Sequence, residues 1–174
     1  MDIISHGLWG GLAVGRKNKK SFWLSFIFGV SPDLLSFGIF SVMNILGLVS
    51  GPDWSGGPPP SESIPHYVHT LYNITHSLVV FAVVFGLVWL LRKKPLYELL
   101  AWPLHILMDI PTHSTQFFPT PFLWPFVDYR LDGIPWSHPY IFFPNWIFLI
   151  VLYLYFFVYK PRRVGNKKKY AKNS

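Results

Sequence analysis

The fold class this sequence predicts is an all-α, polytopic integral membrane bundle, on three grounds. Hydrophobic residues make up 51% of the chain and charged residues 13%, a balance suited to lipid surroundings. Of the 15 Lys and Arg, all but Arg130 fall in three clusters, at positions 16–20, 92–94 and 160–172. Between the clusters run apolar stretches at 22–49, 74–91, 96–110 and 141–159, each near the ~20 residues that cross hydrocarbon or a little short of it. About four to five membrane-embedded helical segments follow, some short or broken.

The clusters read as cytoplasmic by the positive-inside rule. The histidines and every carboxylate except Glu98 then lie toward the opposite face. Residues 3–14 would make a helix only about 18 Å long, too short to cross about 30 Å of hydrocarbon. They lack a basic leader, carry Asp2, and place their charge after the apolar run, so a retained, outward-facing N-terminus is expected in place of a signal peptide. In the next stretch, Ser31-Pro32-Asp33 supplies a cap, a proline suited to a first helical position and an acid for the first turn. Two pieces, 22–30 and 34–49, hinged at Asp33, are predicted.

Outer loops are expected at 50–73, rich in Gly and Pro, and at 114–140. Thr75 is a candidate cap for the helix that carries His76. In the stretch 96–110, His105 and Asp109 sit four apart, which puts both on one helical face a turn apart. Pro111 should disturb the helix beyond them and with it the alignment of His113. Residues 1–159 form one domain, followed by a basic cytoplasmic tail, 160–174, expected to be disordered on anionic lipid. A net charge of +7 confined to short loops needs no nucleic acid partner. Cysteine is absent, so disulfides and thiolate ligands are excluded and any metal must be held by nitrogen and oxygen.

Counting from the clusters at ~1.5 Å per helical residue puts His6, Asp33, His76, His105 and Asp109 at depths of roughly 14, 18, 24, 15 and 21 Å. Four segments thus deliver ionisable groups to one layer, where such groups are expensive unless they pair, bind metal or line a wet cavity. Each also has a plain structural use: a polar pair between helices for His105 and Asp109, a helix cap for Asp33, an interfacial position for His76. His113 is a possible additional ligand. His69 and His138, with His66, sit among prolines and aromatics of the outer loops, where solvated histidine is the simpler reading. Trp54, Tyr67, Tyr72, Trp124, Tyr129, Trp136, Tyr140 and Trp146 fit an interfacial aromatic belt. The apolar segment 117–126 is expected to fold over the bundle or dip into lipid, roofing the polar site.

Four motifs occur in order: Ser5-His6-Gly7, Gly29-Val30-Ser31-Pro32-Asp33, Asn73-Ile74-Thr75-His76-Ser77 and Leu104-His105-Ile106-Leu107-Met108-Asp109 before a Phe/Pro-rich loop. Over roughly its first 125 residues the chain resembles the YdjM-type family of predicted membrane-bound metal-dependent hydrolases. The resemblance implies a bacterial or archaeal cytoplasmic-membrane protein with His6, Asp33, His76, His105 and Asp109 as metal ligands. Where that family often has a basic residue before its Thr-His-Ser motif, this chain has Leu71-Tyr72-Asn73.

Such a donor set suits Zn²⁺, with Mn²⁺ or Fe²⁺ as alternatives. Asp33 or Asp109, whichever does not ligate, would be the general base. An outward-facing site beneath an apolar loop favours hydrolysis of a lipid or lipid-linked ester or phosphoester, with Arg130 as the outward cation for a substrate phosphate. No Gly-x-Ser-x-Gly elbow or Gly-rich phosphate loop with its Lys is present, which argues against serine hydrolase and nucleotide-driven chemistry. Two other classes use the same residues: a proton or divalent-cation transporter, and a noncatalytic scaffold tied by a closed metal site.

Overall fold

A computed structural model describes residues 1–53 and 55–160. Trp54 lies outside the described residues, as do residues 161–174, to which the expectations of disorder and lipid binding mainly refer. The described chain is all-helical: α1 (Ile3–Ala13), α2 (Lys19–Ser36), α3 (Gly38–Ile45), α4 (His66–Thr75), α5 (Leu78–Arg92), α6 (Ala101–Thr112) and α7 (Pro139–Tyr153), the last continuing as a π-helical segment, Leu154–Tyr159. Short 3-10 turns at Ser61–Ser63 and Tyr97–Leu100 precede α4 and α6.

Local chemistry sets most boundaries. The Asp2 carboxylate accepts from Ser5 N to start α1, and Asn18 accepts from Ser21 N to start α2. The expected break at Asp33 does not occur, because α2 runs through Pro32 to Ser36. Proline cannot bond the carbonyl of Phe28, four residues back, but the Ser31 hydroxyl donates to that oxygen at 3.0 Å, which repairs the vacancy from within the helix. The bend comes later, at Phe37, where α2 and α3 meet at 65°. A second bend of 61° separates α4 from α5. Here Ser77, and not Thr75, is the cap, accepting from Val79 N and Val80 N. Helix α4 also fills most of the end of the stretch expected to be the first outer loop.

Among the described residues one helix, Pro139–Tyr159, is long and apolar enough to cross a membrane, and each bent pair reaches that standard only when its two halves are taken together. Burial is inverted relative to a water-soluble domain. Among the described residues, 13 buried polar or charged side chains outnumber 11 buried hydrophobic ones. Helix α5 buries no residue at all, although it is apolar on every side, and α7 leaves Ile147, Phe148, Ile150 and Val151 more than half exposed. Exposed apolar area of this extent marks a surface suited to lipid or to a protein partner.

Small residues bring α1 and α2 into backbone contact. A Cβ on Gly10 would lie 2.6 Å from Ser25 O, and one on Gly29 would lie 2.6 Å from His6 O, so both positions need glycine for the close approach that membrane helices use. Helix α7 is fixed to α1 by polar bonds. Asn145 Nδ2 donates to Ser5 Oγ at 2.7 Å, Trp9 Nε1 donates to Asn145 Oδ1 at 2.8 Å, and Tyr153 Oη donates to Leu8 O at 2.9 Å.

The α4–α5 break leaves main-chain groups that neighbours satisfy. Trp102 Nε1 donates to Thr75 O at 2.6 Å, Leu78 N donates to Phe122 O at 3.0 Å, and the Ser77 hydroxyl donates to Trp124 O. The apolar outer segment therefore folds back over the bundle. Its Phe118 joins Phe40, Ile64, Val68 and Tyr72 in a buried cluster. Further along, the amides of Gly133, Ile134 and Trp136 donate to the carbonyls of His113, Pro111 and Thr112 at 2.8, 3.0 and 2.8 Å, closing the end of α6.

Candidate metal centre

Helices α2 and α6, together with the break between α4 and α5, carry their ionisable side chains to one point. One donor atom from each of Asp33, His76, His105 and Asp109 lies within 4.8 Å of the other three. The two imidazoles and Asp109 are fully buried, while the Asp33 side chain keeps 19% of its surface exposed.

Hydrogen bonds fix which ring nitrogens face the centre. His105 Nδ1 lies 2.7 Å from Gly29 O. A carbonyl can only accept, so Nδ1 holds a proton and Nε2 is the nitrogen that faces the centre. His76 Nδ1 lies 3.1 Å from Tyr72 O and 3.0 Å from Thr75 Oγ1. The Thr75 hydroxyl spends its proton on Leu71 O at 2.9 Å, which leaves His76 Nδ1 as the donor there too. Imidazoles that ligate metals are oriented in this manner, by a bond from the opposite ring nitrogen.

The two Nε2 atoms then stand 3.0 Å apart, both turned toward the carboxylates. Asp109 Oδ2 lies 3.0 Å from His105 Nε2 and 3.6 Å from His76 Nε2, and Asp33 Oδ1 lies 3.8 and 3.4 Å from the same two atoms. Two ring nitrogens and two carboxylate oxygens crowded in a buried place need a shared proton or a cation to hold them together. A tetrahedron with metal–ligand arms of 2.0–2.1 Å has edges of about 3.3–3.4 Å; the five separations above span 3.0–3.8 Å, and all four atoms lie within 4.8 Å of one another. A set so gathered could hold a metal ion once its arms adjust by a few tenths of an ångström.

His6 completes the inner wall. Its ring stacks on His105 with centroids 3.6 Å apart, and its Nε2 lies 2.9 Å from Asp109 Oδ1. That approach is off the line of a hydrogen bond, so both buried ring nitrogens of His6, and Asp109 Oδ2, lack a hydrogen-bond partner. Buried polar atoms left in that state are rare. The Met1 α-ammonium pairs with Asp109 Oδ1 and is the positive group within the cluster.

The remaining candidates lie farther out. Helix α6 passes through Pro111 to Thr112, and His113 N donates to Asp109 O at 3.0 Å. This keeps His113 Nδ1 3.8 Å from Asp109 Oδ2 and 3.3 Å from the Tyr72 hydroxyl, which itself donates to Phe118 O at 2.8 Å. His69 stacks on Phe118 with Nε2 3.1 Å from Ser61 O, and His138 caps α7. Neither joins the cluster. Arg130 donates to Asp128 Oδ1 at 2.9 Å, Pro119 O at 3.4 Å and Asn73 Oδ1 at 3.4 Å. It ties the outer segment to α4 and is not among the side chains bordering the cavity beside the centre.

That cavity, about 570 Å³, runs from Asp33, Tyr72 and His113 outward between apolar walls that include Leu34, Phe37 and Trp136. Sequence reasoning missed two supports of the centre, the carbonyls of Gly29 and Tyr72, because main-chain acceptors leave no mark in a sequence. It also missed Asn145, although one amide inside an apolar stretch was a visible signal. Comparison with protein-family models, curated proteins and solved structures finds no match to this chain.

Proposed function

We propose that the chain is a membrane-embedded, metal-dependent hydrolase of the YdjM type, acting on a lipid or lipid-linked ester or phosphoester. The observation that carries this reading is the convergence of His76 Nε2 and His105 Nε2, 3.0 Å apart, on two carboxylates. His76, His105 and Asp109, the fully buried members, would hold the ion, with His6 against the far oxygen of Asp109. Zn²⁺ suits this donor set best, and Mn²⁺ or Fe²⁺ could replace it. When bound, such an ion polarises a carbonyl or phosphoryl oxygen and acidifies water.

Asp33 borders the cavity and is therefore the general base, placed to take a proton from the attacking water. Keeping it out of the ligand set leaves the open position a catalytic site needs. If Asp33 closed the shell instead, the ion would be a structural tie, as in a metal-stabilised scaffold. The adjoining cavity favours the enzyme, and its long apolar walls suit an acyl or isoprenoid chain lying beside the polar head. The bent pairs act as single spans in this reading, making the bundle polytopic in a prokaryotic cytoplasmic membrane. The clusters at 16–20 and 92–94 then face the cytoplasm and the cavity faces outward.

The test is elemental analysis of detergent-purified protein beside His105→Ala, followed by a screen of lipid esters and phosphoesters. Near-stoichiometric metal that the substitution abolishes is expected. Metal retained in full by the variant, or none bound by the parent after loading with each ion, would overturn the assignment.

A further inference from the structure

At the opposite end of the bundle, a cavity of about 620 Å³ opens between the start of α2 and the end of the α7 segment. Phe22, Trp23, Tyr153 and Phe157 form its walls, and Arg16 and Lys19 stand at its rim. The aromatic walls are mutually braced. Phe22 meets Tyr153 and Phe157 edge-on at 6.3 and 5.9 Å, and Tyr153 stacks on Phe157 at 5.2 Å. The Arg16 guanidinium lies 4.0 Å from the centre of the Phe156 ring, which holds its charge at the mouth of the groove.

Charge at this end is almost all of one sign. Arg16, Lys17, Lys19, Lys20, Arg92, Lys93, Lys94 and Lys160 lie at helix ends here, and Glu98, within electrostatic reach of Lys17 and Arg92, is their one acidic counterpart among the described residues. Arg16 and Lys19 make no ion pair among those residues. An apolar slot capped by two unpaired cations matches a molecule with a greasy chain and an anionic head.

We infer that this groove is a binding site for one anionic glycerophospholipid of the basic-side leaflet. Its acyl chain lies along Phe22, Trp23, Tyr153 and Phe157, and its phosphate is held by Arg16 and Lys19. The site is separate from the metal centre and independent of the reaction proposed there. It would also clamp the α7 span to α2, two elements that otherwise meet mainly through α1.

Native mass spectrometry of the full chain, released from micelles containing equal phosphatidylglycerol and phosphatidylcholine, tests the inference. The parent should retain one phosphatidylglycerol in preference. Arg16→Gln with Lys19→Gln should lower that preference about thirtyfold, or about fivefold for each cation removed. Replacing Lys93 and Lys94 by Gln should leave it unchanged, since neither lines the groove. A second variant, Phe22→Ala, keeps the charges, opens the wall and should weaken retention of both lipids. Equal retention of the two lipids by the parent, or a preference that follows Lys93 and Lys94 and not Arg16 and Lys19, would overturn the site. Should the double variant fail to fold, Arg16→Lys with Lys19→Arg must keep the preference, and its loss there would also refute a charge-based clamp.

Discussion

Replacing Gly29 by Ala tests the architecture of the metal centre without touching a proposed ligand. The new methyl would lie 2.6 Å from His6 O, whereas ordinary contact begins at 3.4 Å, so α1 and α2 must part by about 0.8 Å at their crossing. Overpacking of this kind costs about 1–3 kcal/mol, of which the better helix propensity of Ala returns about 0.5–1 kcal/mol. The larger effect falls on metal. His6 rides on the displaced backbone, and His105 hangs from the Gly29 carbonyl at 2.7 Å, while ligand distances tolerate only about ±0.2 Å. A fall in metal affinity of about 10- to 100-fold is expected, as when a group that orients a ligand is lost. Chelator competition gives the affinity, and thermal unfolding in detergent gives the stability. Gly86→Ala is the control, since nothing lies within 4 Å of a Cβ at that position. Gly29→Ala protein with parental affinity and melting temperature would refute the close-crossing argument.

Asp33→Asn should keep the metal and lower turnover on a responsive lipid substrate by about 10²- to 10⁴-fold, whereas Asp109→Asn should lose the metal. Equal metal loss from both would make Asp33 a ligand and not the base. Asn145→Ala removes the bonds to Ser5 and Trp9 and should cost about 1–3 kcal/mol by denaturation in mixed micelles, at the scale of interhelical bonds in lipid; unchanged stability would show that α7 is held by packing alone. Asp132 accepts from Thr115 N at 2.7 Å and from its hydroxyl at 2.9 Å, which holds its carboxyl below the usual carboxylate range. Its folded value is depressed, so its anchoring of the outer segment is complete above about pH 4 and fades as pH falls through that lower value. Proteolysis of the segment should accelerate on acidification in the parent, and Asp132→Asn should flatten the profile; identical profiles would remove Asp132 from the account.

The sequence made the centre more legible than the helices around it. His105 and Asp109 were readable because a spacing of four fixes a shared face whatever the tertiary setting. Asp33 and His76 followed from depth, although His76 sits in a helix break that the count of helical rises had treated as continuous. Pro32 misled for a specific reason: its disruptive effect was cancelled by the neighbouring Ser31 hydroxyl, and the real bend, at Phe37, is marked only by Gly38 beside it. The α1–α2 crossing was written in the repeat Ser21, Ser25, Gly29 opposite Gly15, Gly10 and Gly7, a small-residue pattern that carries no ionisable group. The closeness of that crossing, however, appears only once both backbones are placed.

The acceptor behind His105 is the main-chain carbonyl of Gly29, and no substitution can delete a carbonyl. In many metalloproteins a lineage can adjust ligand basicity one mutation at a time by exchanging an outer carboxylate for an amide. That route is closed at His105, and at His76 it is open only at the Thr75 hydroxyl, which shares Nδ1 with Tyr72 O. Drift in the tuning of this centre must otherwise pass through helix placement, through the glycines at the crossing and the residues that set the bend after Thr75. An engineer seeking a different metal would accordingly gain more from a library at Gly7, Gly10, Ser25 and Gly29 than from one aimed at the ligands' polar neighbours.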